Sequence, residues 1–395
     1  VEELNQDNQG LVLCWHDWSA GFRERLGWLT DVLESADRTE QRVRLRSRPR
    51  RRWDLQLAAT GAERMRLENI LAGRTVRHCL FPVWPDAAPL TVAVSAGGAA
   101  FSCQTTGRDY VVGGELAMFA AGGKHEIRTV STLGPDGGTV TAPFAEDWPA
   151  GTMCAPLRDC LFVEGRRLNR WTPDYAEYAI TAEVLGAARD LPALSPELWL
   201  DHPLCPFPAG WAEAEEGVTN KWVVLDNATG PLEFMVEAVE PVLSRSAEFL
   251  LDGRAQIAEF LSWLHLLAGR LTPFWLPADG HAFSLVATAP AGAQTIVVAS
   301  QDYTRSLAGS PARSHLEIET ASGAVIRRKI IGSLLIGAGD TEELTLDAPL
   351  PDGLAESQIR RANWLELVRL ASDEIELQWL SDEAVSVTLP VVALP

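Results

Sequence analysis

Seven histidines, six cysteines and several adjacent acid pairs are the groups from which this chain could build a reactive centre. The histidines stand alone at His16, His78, His125, His202, His265, His281 and His315. No H-E-x-x-H and no pair at helical spacing suggests a metal site. Cys14, Cys79, Cys103, Cys154, Cys160 and Cys205 form no C-x-x-C pair, a scatter that fits free thiols in a reducing compartment. Trp15-His16-Asp17 and Asp201-His202 set a carboxylate beside an imidazole, but no G-x-S-x-G elbow supplies a nucleophile. Gly122-Gly-Lys-His125 lacks the hydroxyl that follows a phosphate-loop lysine and reads as a turn, and Gly332 to Gly337 carries no dinucleotide fingerprint. Glycoside hydrolysis needs two converging carboxyls. The pairs Glu146-Asp147, Glu215-Glu216, Glu342-Glu343 and Asp382-Glu383 mostly border turns and read as solvated. His265, beside Trp263 on a helical pattern, reads as a packed histidine. The expectation is therefore a chain with no catalytic, cofactor or metal residues.

One charged run does stand out. Arg42, Arg44, Arg46, Arg48, Arg50, Arg51 and Arg52 fall within eleven residues of a protein whose net charge is −19. From Arg42 to Arg48 they alternate with Val43, Leu45 and Ser47, so a strand would line guanidinium groups along one face. Like charges at that spacing repel unless something negative lies opposite. The corresponding stretch of the second half carries Glu233, Glu237 and Glu240. Arg42, Arg44, Arg46, Arg48 and Arg50 are thus the candidate inter-subunit contact, with Glu237 and Glu240 as its acidic side. A solvated basic face and a passing nucleic acid are the other two readings of the run. The acidity as a whole argues against sequence-specific nucleic-acid binding, which requires a basic footprint.

The elements that must carry these residues are mainly β. Apolar residues make up 47% and charged residues 22%, enough to bury a core. The longest apolar stretch, Phe260 to Leu276, is interrupted by His265, Gly269, Arg270 and Pro273, so no membrane span is expected. The polar opening has no apolar signal-peptide region. Internal similarity organises the rest. Glu63-Arg-Met-Arg-Leu-Glu-Asn-Ile-Leu-Ala-Gly-Arg74 has its counterpart in Glu259-Phe-Leu-Ser-Trp-Leu-His-Leu-Leu-Ala-Gly-Arg270, and each runs into a Pro-bounded aromatic strand. Trp171-Thr-Pro-Asp174 likewise matches Trp379-Leu-Ser-Asp382. Each copy reads as strand, helix, strand, then short strands and Gly turns. Leu67, Ile70 and Leu71 form the apolar face of one helix, and Phe260, Leu261, Leu264 and Leu267 that of the other. Gly73 and Gly269 stand where left-handed caps belong. Ile375, Leu377 and Trp379 alternate, as do Val385, Val387 and Leu389, predicting a closing hairpin around Ser381-Asp382. The expected architecture is two tandem modules, 11–185 and 214–395, joined by a Pro-rich connector at 186–213. Each is a β-sandwich flanked by one helix, with a small β-barrel inserted or appended.

Trp28-Leu-Thr-Asp-Val-Leu33, with Thr39-Glu-Gln-Arg42 leading into Leu45-Arg-Ser-Arg-Pro49, resembles the N-terminal portion of a family of siphophage distal tail and baseplate proteins. Ala255-Gln-Ile-Ala-Glu-Phe260, running into Gly269-Arg-Leu-Thr-Pro-Phe-Trp-Leu-Pro277, resembles the second-half signature of that family, as does the stretch from Val368 to Pro390. The resemblance implies a tail-tube-like fold and a non-enzymatic virion protein of the tail tip, made in the host cytoplasm. Its implied partners are the tail tube protein, the hub and baseplate proteins and the tape-measure protein. A two-module chain would close a ring as a trimer with pseudo-sixfold symmetry, or as a hexamer. The competing expectation is a carbohydrate- or receptor-binding β module, suggested by 14 Trp against 4 Tyr. It requires Trp84, Trp275 and Trp379 to be exposed for stacking.

Overall fold

The computed structural model describes residues 10–12, 18, 21–35, 37–72, 78–120, 124–162, 167–186, 189, 191–210, 215–238, 240–278, 281–311, 313–337 and 339–395. The chain is mainly β. After the short β1 (Gly10–Leu11) comes β2 (Phe22–Gly27), then an arm-like hairpin of β3 (Thr30–Glu34) and β4 (Glu40–Arg44). The long β5 (Arg50–Thr60) leads into helix α1 (Gly61–Ala72) and strand β6 (His78–Pro82). Five strands follow as an insertion: β7 (Ala88–Pro89), β8 (Ala100–Phe101), β9 (Glu115–Phe119), β10 (His125–Gly134) and β11 (Gly137–Val140). The half closes with β12 (Met153–Phe162), β13 (Arg167–Arg170) and β14 (Tyr175–Val184). The connector contributes β15 (Leu198–Trp199) and β16 (His202–Pro203).

The second half opens with β17 (Glu216–Thr219) and a hairpin of β18 (Trp222–Leu225) and β19 (Glu233–Val236). Next come β20 (Val242–Asp252), α2 (Arg254–Leu267) and β21 (Phe274–Ala278). Its insertion holds β22 (Thr295–Ala299), the one-turn α3 (Tyr303–Ser306), β23 (His315–Thr320), β24 (Val325–Ile336) and β25 (Thr341–Leu346). It closes with β26 (Ile359–Leu370), β27 (Glu374–Trp379) and β28 (Ala384–Ala393).

The pairings run in the same order in both halves. β5 pairs β2 and β14, while β20 pairs β17 and β28. β14 pairs β13 and β12, while β28 pairs β27 and β26. In the insertions the order β12–β9–β10–β11–β8 is matched by β26–β23–β24–β25–β22. The closing hairpin stands as the alternation predicts, with Leu377 opposite Val387 and Trp379 opposite Val385. Among the described residues no sheet closes into a barrel, unlike the expectation for the insertions. The reason lies in β12 and β26, each of which serves two sheets along its length. Leu157 to Leu161 pair β6 while Met153 to Pro156 pair β9, so the inserted strands extend an open sheet.

Burial follows the period of two. On β5, Trp53, Leu55, Leu57 and Ala59 face the core while the residues between them are more exposed. One core joins residues of both halves, and each insertion has its own smaller cluster, around Phe101, Phe144 and Trp148 in the first and Ile318, Leu344 and Leu346 in the second. The two helices differ. α2 buries Ile257, Phe260, Leu261, Trp263, Leu264 and Leu267, whereas α1 buries Leu67 alone, with Ile70 and Leu71 half-buried. At the end of α2 the left-handed conformation begins one residue earlier than expected, at Ala268 (φ 52°), whose N–H donates to Leu264. Phe260→Ala is expected to cost about 3–5 kcal/mol of stability by leaving a cavity between helix and sheet. Leu250→Ala, on an exposed position of β20, should lie within about 0.5 kcal/mol of the parent; denaturant melts of both variants test the pair.

Candidate functional site at the seam between the halves

The most concentrated chemistry in the fold lies where the halves meet. β2 of the first half pairs antiparallel with β27 of the second, from Phe22 opposite Trp379 to Gly27 opposite Glu374. Because β2 also pairs β5, the two halves share one continuous sheet. Phe22, Glu24 and Leu26 occupy the inward parity of β2, which delivers the Glu24 carboxylate into the core. There it accepts from Arg51 Nε at 2.8 Å and from Trp379 Nε1 at 3.2 Å. Arg51 also reaches Asp109 at 2.6 Å, and Arg158 holds Asp109 through Nη2 at 2.7 Å. Asp86 accepts from Arg189 of the connector at 2.8 Å and from Arg254 at the start of α2. The Arg189 and Arg254 guanidinium groups lie over the Trp379 ring, 5.8 and 5.2 Å from its centroid. Arg108 bridges to Asp382 at 3.1 Å.

Burial raises the cost of charge at Asp109 and Glu24, but the surrounding arginines prevail. Arg51, Arg189 and Arg158 hold the Asp109 carboxyl well below its usual range, and Arg51 and Arg189 lower Glu24. His265 of α2, edge-on to Trp28 at 5.8 Å, is pushed down to about 4 by burial and then by the nearby Arg51 and Arg189 charges. At neutral pH the His265 imidazole is therefore uncharged while the Glu24 and Asp109 carboxylates are ionised.

Beside the cluster the seam is sealed by backbone capture. Asp373 accepts from the N–H groups of Thr30 and Arg270 at 2.7 and 2.9 Å, and its own carbonyl accepts from the N–H of Trp28 at 2.9 Å. Two glycines permit this closeness. A Cβ at Gly269 (φ +69°) would fall 2.2 Å from the Asp373 carboxylate, and one at Gly107 (φ +69°) 2.9 Å from the Arg254 carbonyl. The β3–β4 arm lies on the second half. Arg38 donates to the carbonyls of Pro241 and Ala393, both at 2.7 Å, and Arg369 grips Glu40 through Nε and Nη2 at 2.8 and 2.7 Å. Lys221 pairs with Glu34.

The residues singled out in the sequence fall in varied places. The arginine run does not form one strand. Arg42 and Arg44 lie on β4, the chain then bends, and Arg50 opens β5. Arg44, Arg48 and Arg50 are exposed, and Arg46 donates to the Gly27 carbonyl at 2.8 Å. Glu237 uses its backbone N–H on Lys221, and Glu240 accepts from Ser310 at 2.8 Å. No ion pair among the described residues joins these arginines to Glu237 or Glu240. Glu342 is not solvated: five donors from Ser300 to Thr304 surround its carboxylate and, against the effect of burial, bring it down to about 2. Asp382 receives Arg108, and Glu146 pairs with Lys124. His202 and His315 border a cleft of about 700 Å³ on the second half. Burial and then Lys329 push His315 down to about 4. Cys14, Trp15-His16-Asp17, Gly73, Arg74, Gly122 and Gly123 lie outside the described residues. Among the described residues no group of three or more His, Cys, Asp or Glu is placed to hold a metal ion, and no helix is long and apolar enough to cross a membrane. None of the five described cysteines is in a disulfide.

Sequence reasoning missed the buried cluster, although part of its signal was there. Glu24 shares its parity with Phe22 and Leu26, and Arg51 with Trp53 and Leu55. A charge at an inward position requires a partner, but the sequence does not name Asp109, Asp86 or Arg254.

No protein-family model matches the chain, and no curated protein matches it.

Two outcomes test the seam. Glu24→Ala leaves the buried Arg51 with Asp109 alone and takes the acceptor from Trp379 Nε1. It is expected to cost about 3–5 kcal/mol, whereas Arg23→Ala, at the solvated rim, costs less than about 1 kcal/mol; urea melts read both. For His265, the unfolded chain gains a proton near 6.5 and the folded chain only at about 4. Stability therefore falls as pH drops through that window, and the buried carboxylates extend the loss at lower pH. The slope of Tm against pH between 6.5 and 4 is expected to flatten in His265→Gln.

Proposed function

We propose that this chain is a structural, non-enzymatic subunit of a siphophage tail tip. It forms a ring that joins the tail tube to the central hub and fibres beside the tape-measure protein, and it uses no cofactor. The observation that carries this reading is the seam. β2 of the first half extends the sheet of the second half through β27, while β13 at one end and β17 at the other are paired on one side only among the described residues. A continuous sheet that ends in two unlike free edges offers surfaces for head-to-tail association, and such contacts close into rings when the rotation allows.

The matched order of pairings supports two tandem copies of one tail-tube-like β-sandwich-plus-helix module, at 11–185 and 214–395, with the inserted sheets standing where small barrels were expected. Three chains then place six modules around a ring, fitting a sixfold tube to a threefold hub. The buried ion cluster supports a scaffolding role, because it ties β2, β5, the connector, the first insertion and α2 together across the seam.

The carbohydrate-binding alternative loses its main support. Trp84, Trp275 and Trp379 are all buried, at 4%, 4% and 0% exposure. Trp171 and Trp222 are exposed, but they adjoin the free strands β13 and β17, where an assembly contact accounts for them. Electron microscopy of the purified chain is expected to show closed threefold rings with six repeating densities. A chain that binds glycans on an array and forms no ring would overturn the proposal in favour of the alternative.

A further inference from the structure

The seam inside the chain supplies a template for the contact between chains. Pairing registers place the two halves in correspondence. β2 through β5 map onto β17 through β20 with a constant difference of 192 in residue number, and β13 maps onto β27 with a difference of 209. The latter moves the sequence match by one residue and sets Arg170 rather than Trp171 against Trp379. Within the chain, β2 of one half adds to β27 of the other. Carried through the same correspondence, β17 adds to β13. We infer that β17 of one copy pairs antiparallel with β13 of a second copy of this chain, with Glu216 opposite Leu168 and Gly217 opposite Arg167. This pairing rests on the ring assembly proposed above and gives that ring its second joint.

The edges carry the charges such a joint needs, with signs exchanged relative to the internal one. At the internal seam, Arg25 and Arg23 of β2 meet Glu376 of β27 at 3.0 and 3.7 Å. The positions corresponding to Arg23 and Glu376 are Glu215 and Arg167, so the same diagonal contact forms with acid and base interchanged. Glu24, which accepts from Trp379 inside the chain, corresponds to Glu216, and Trp379 corresponds to Arg170. Arg170 is half-exposed and rests on Glu68 at 2.7 Å, and Glu216 lies 4.0 Å from Arg313, so both carry a contact within their own half that an incoming edge must share.

The same charges also prevent wrong joints. β2 and β27 are already paired on both sides, so the joints to be avoided are between like ends. β13 against β13 would bring Arg167 and Arg170 of two copies together, and β17 against β17 would bring Glu215 and Glu216 together. Both combinations repel. The halves must therefore alternate around the assembly.

Apolar exposure lies on the same two edges. The first arm is charged and is already seated on the second half of its own chain through Arg38 and Glu40. The second arm, β18–β19, has Phe234 where the first has Arg42 and Val236 where it has Arg44. Phe234 is 66% exposed, Val236 51% and Trp222 52%. The neighbouring copy's β13 edge presents Leu168 at 43% and Trp171 at 67%. A second copy covers both surfaces at once, continuing the interface that the chain already makes with itself.

A mixture experiment tests the register. One preparation carries Leu168→Cys, the other Glu216→Cys, each shown to keep the parent's circular dichroism and Tm. Mixed and oxidised, they are expected to give a disulfide-linked dimer that neither gives alone, and a chain with both substitutions should give a ladder ending at the size of the closed ring. Separately, Arg167→Glu with Arg170→Glu should weaken self-association by about tenfold or more, and adding Glu215→Arg with Glu216→Arg should restore it. Self-association by sedimentation without the mixed cross-link would overturn this pairing and leave the ring standing. A chain that stays monomeric at its solubility limit and forms no cross-link would overturn both.

Discussion

The relative placement of the two halves depends on an apolar core that they share and on ion pairs set within it where water cannot reach them. Five guanidinium groups, of Arg51, Arg108, Arg158, Arg189 and Arg254, are buried with three carboxylates, of Glu24, Asp86 and Asp109, between two halves that each also have apolar contacts of their own. Charges so placed contribute little net stability, because desolvation offsets most of their attraction, yet losing any one partner is costly. Their consequence is geometric. A planar guanidinium accepts few arrangements of carboxylates, so the cluster admits one relative position of the halves where a greasy interface would tolerate several. Arg254 begins α2, Arg189 belongs to the connector, Asp86 follows β6 and Asp109 lies in the first insertion. One cluster thus fixes four separate elements across the seam.

Around that cluster the chain distributes polarity by position. Inside the seam each of the five arginines meets a carboxylate, though Arg51 Nη2, Arg189 Nη1 and Arg254 Nη2 are buried without a hydrogen-bond partner among the described residues. The backbone is capped by Asp373, while Gly107 and Gly269 allow the surfaces to approach. At the outer ends the same fold positions carry exposed apolar and charged side chains. The two halves, whose strands pair in the same order, do not behave alike. The first arm is charged and seated, the second apolar and exposed. In the proposed ring this asymmetry separates a joint made during folding from a joint made during assembly.

Much of the local structure was legible. Alternation in Ile375 to Trp379 and Val385 to Leu389 specified the closing hairpin, and the 3.6-residue pattern of Phe260, Leu261, Leu264 and Leu267 specified the buried helix. The arginine run misled in part. Alternation from Arg42 to Arg48 has the period of a strand, but Arg46 instead turns its guanidinium onto the Gly27 carbonyl, and the chain bends before β5. The inserted strands have the spacing of a small barrel, but closure depends on which edges meet, and β12 and β26 continue into the main sheet instead.

The net charge of −19 looked like a property of the whole surface. The first 198 residues carry 22 basic and 26 acidic side chains, and the remaining 197 carry 12 and 27. That imbalance is written in the sequence, as are the mainly β character, the internal similarity and the two helices, because each depends on residue type and local period. Which strand of one half meets which strand of the other was decided only in three dimensions. So were the burial of Glu24, its partners Arg51 and Trp379, and the pairing of Asp86 with Arg254, 168 residues apart. Periodicity assigns a side chain to a face, but the partner that satisfies it arrives only when distant strands pair.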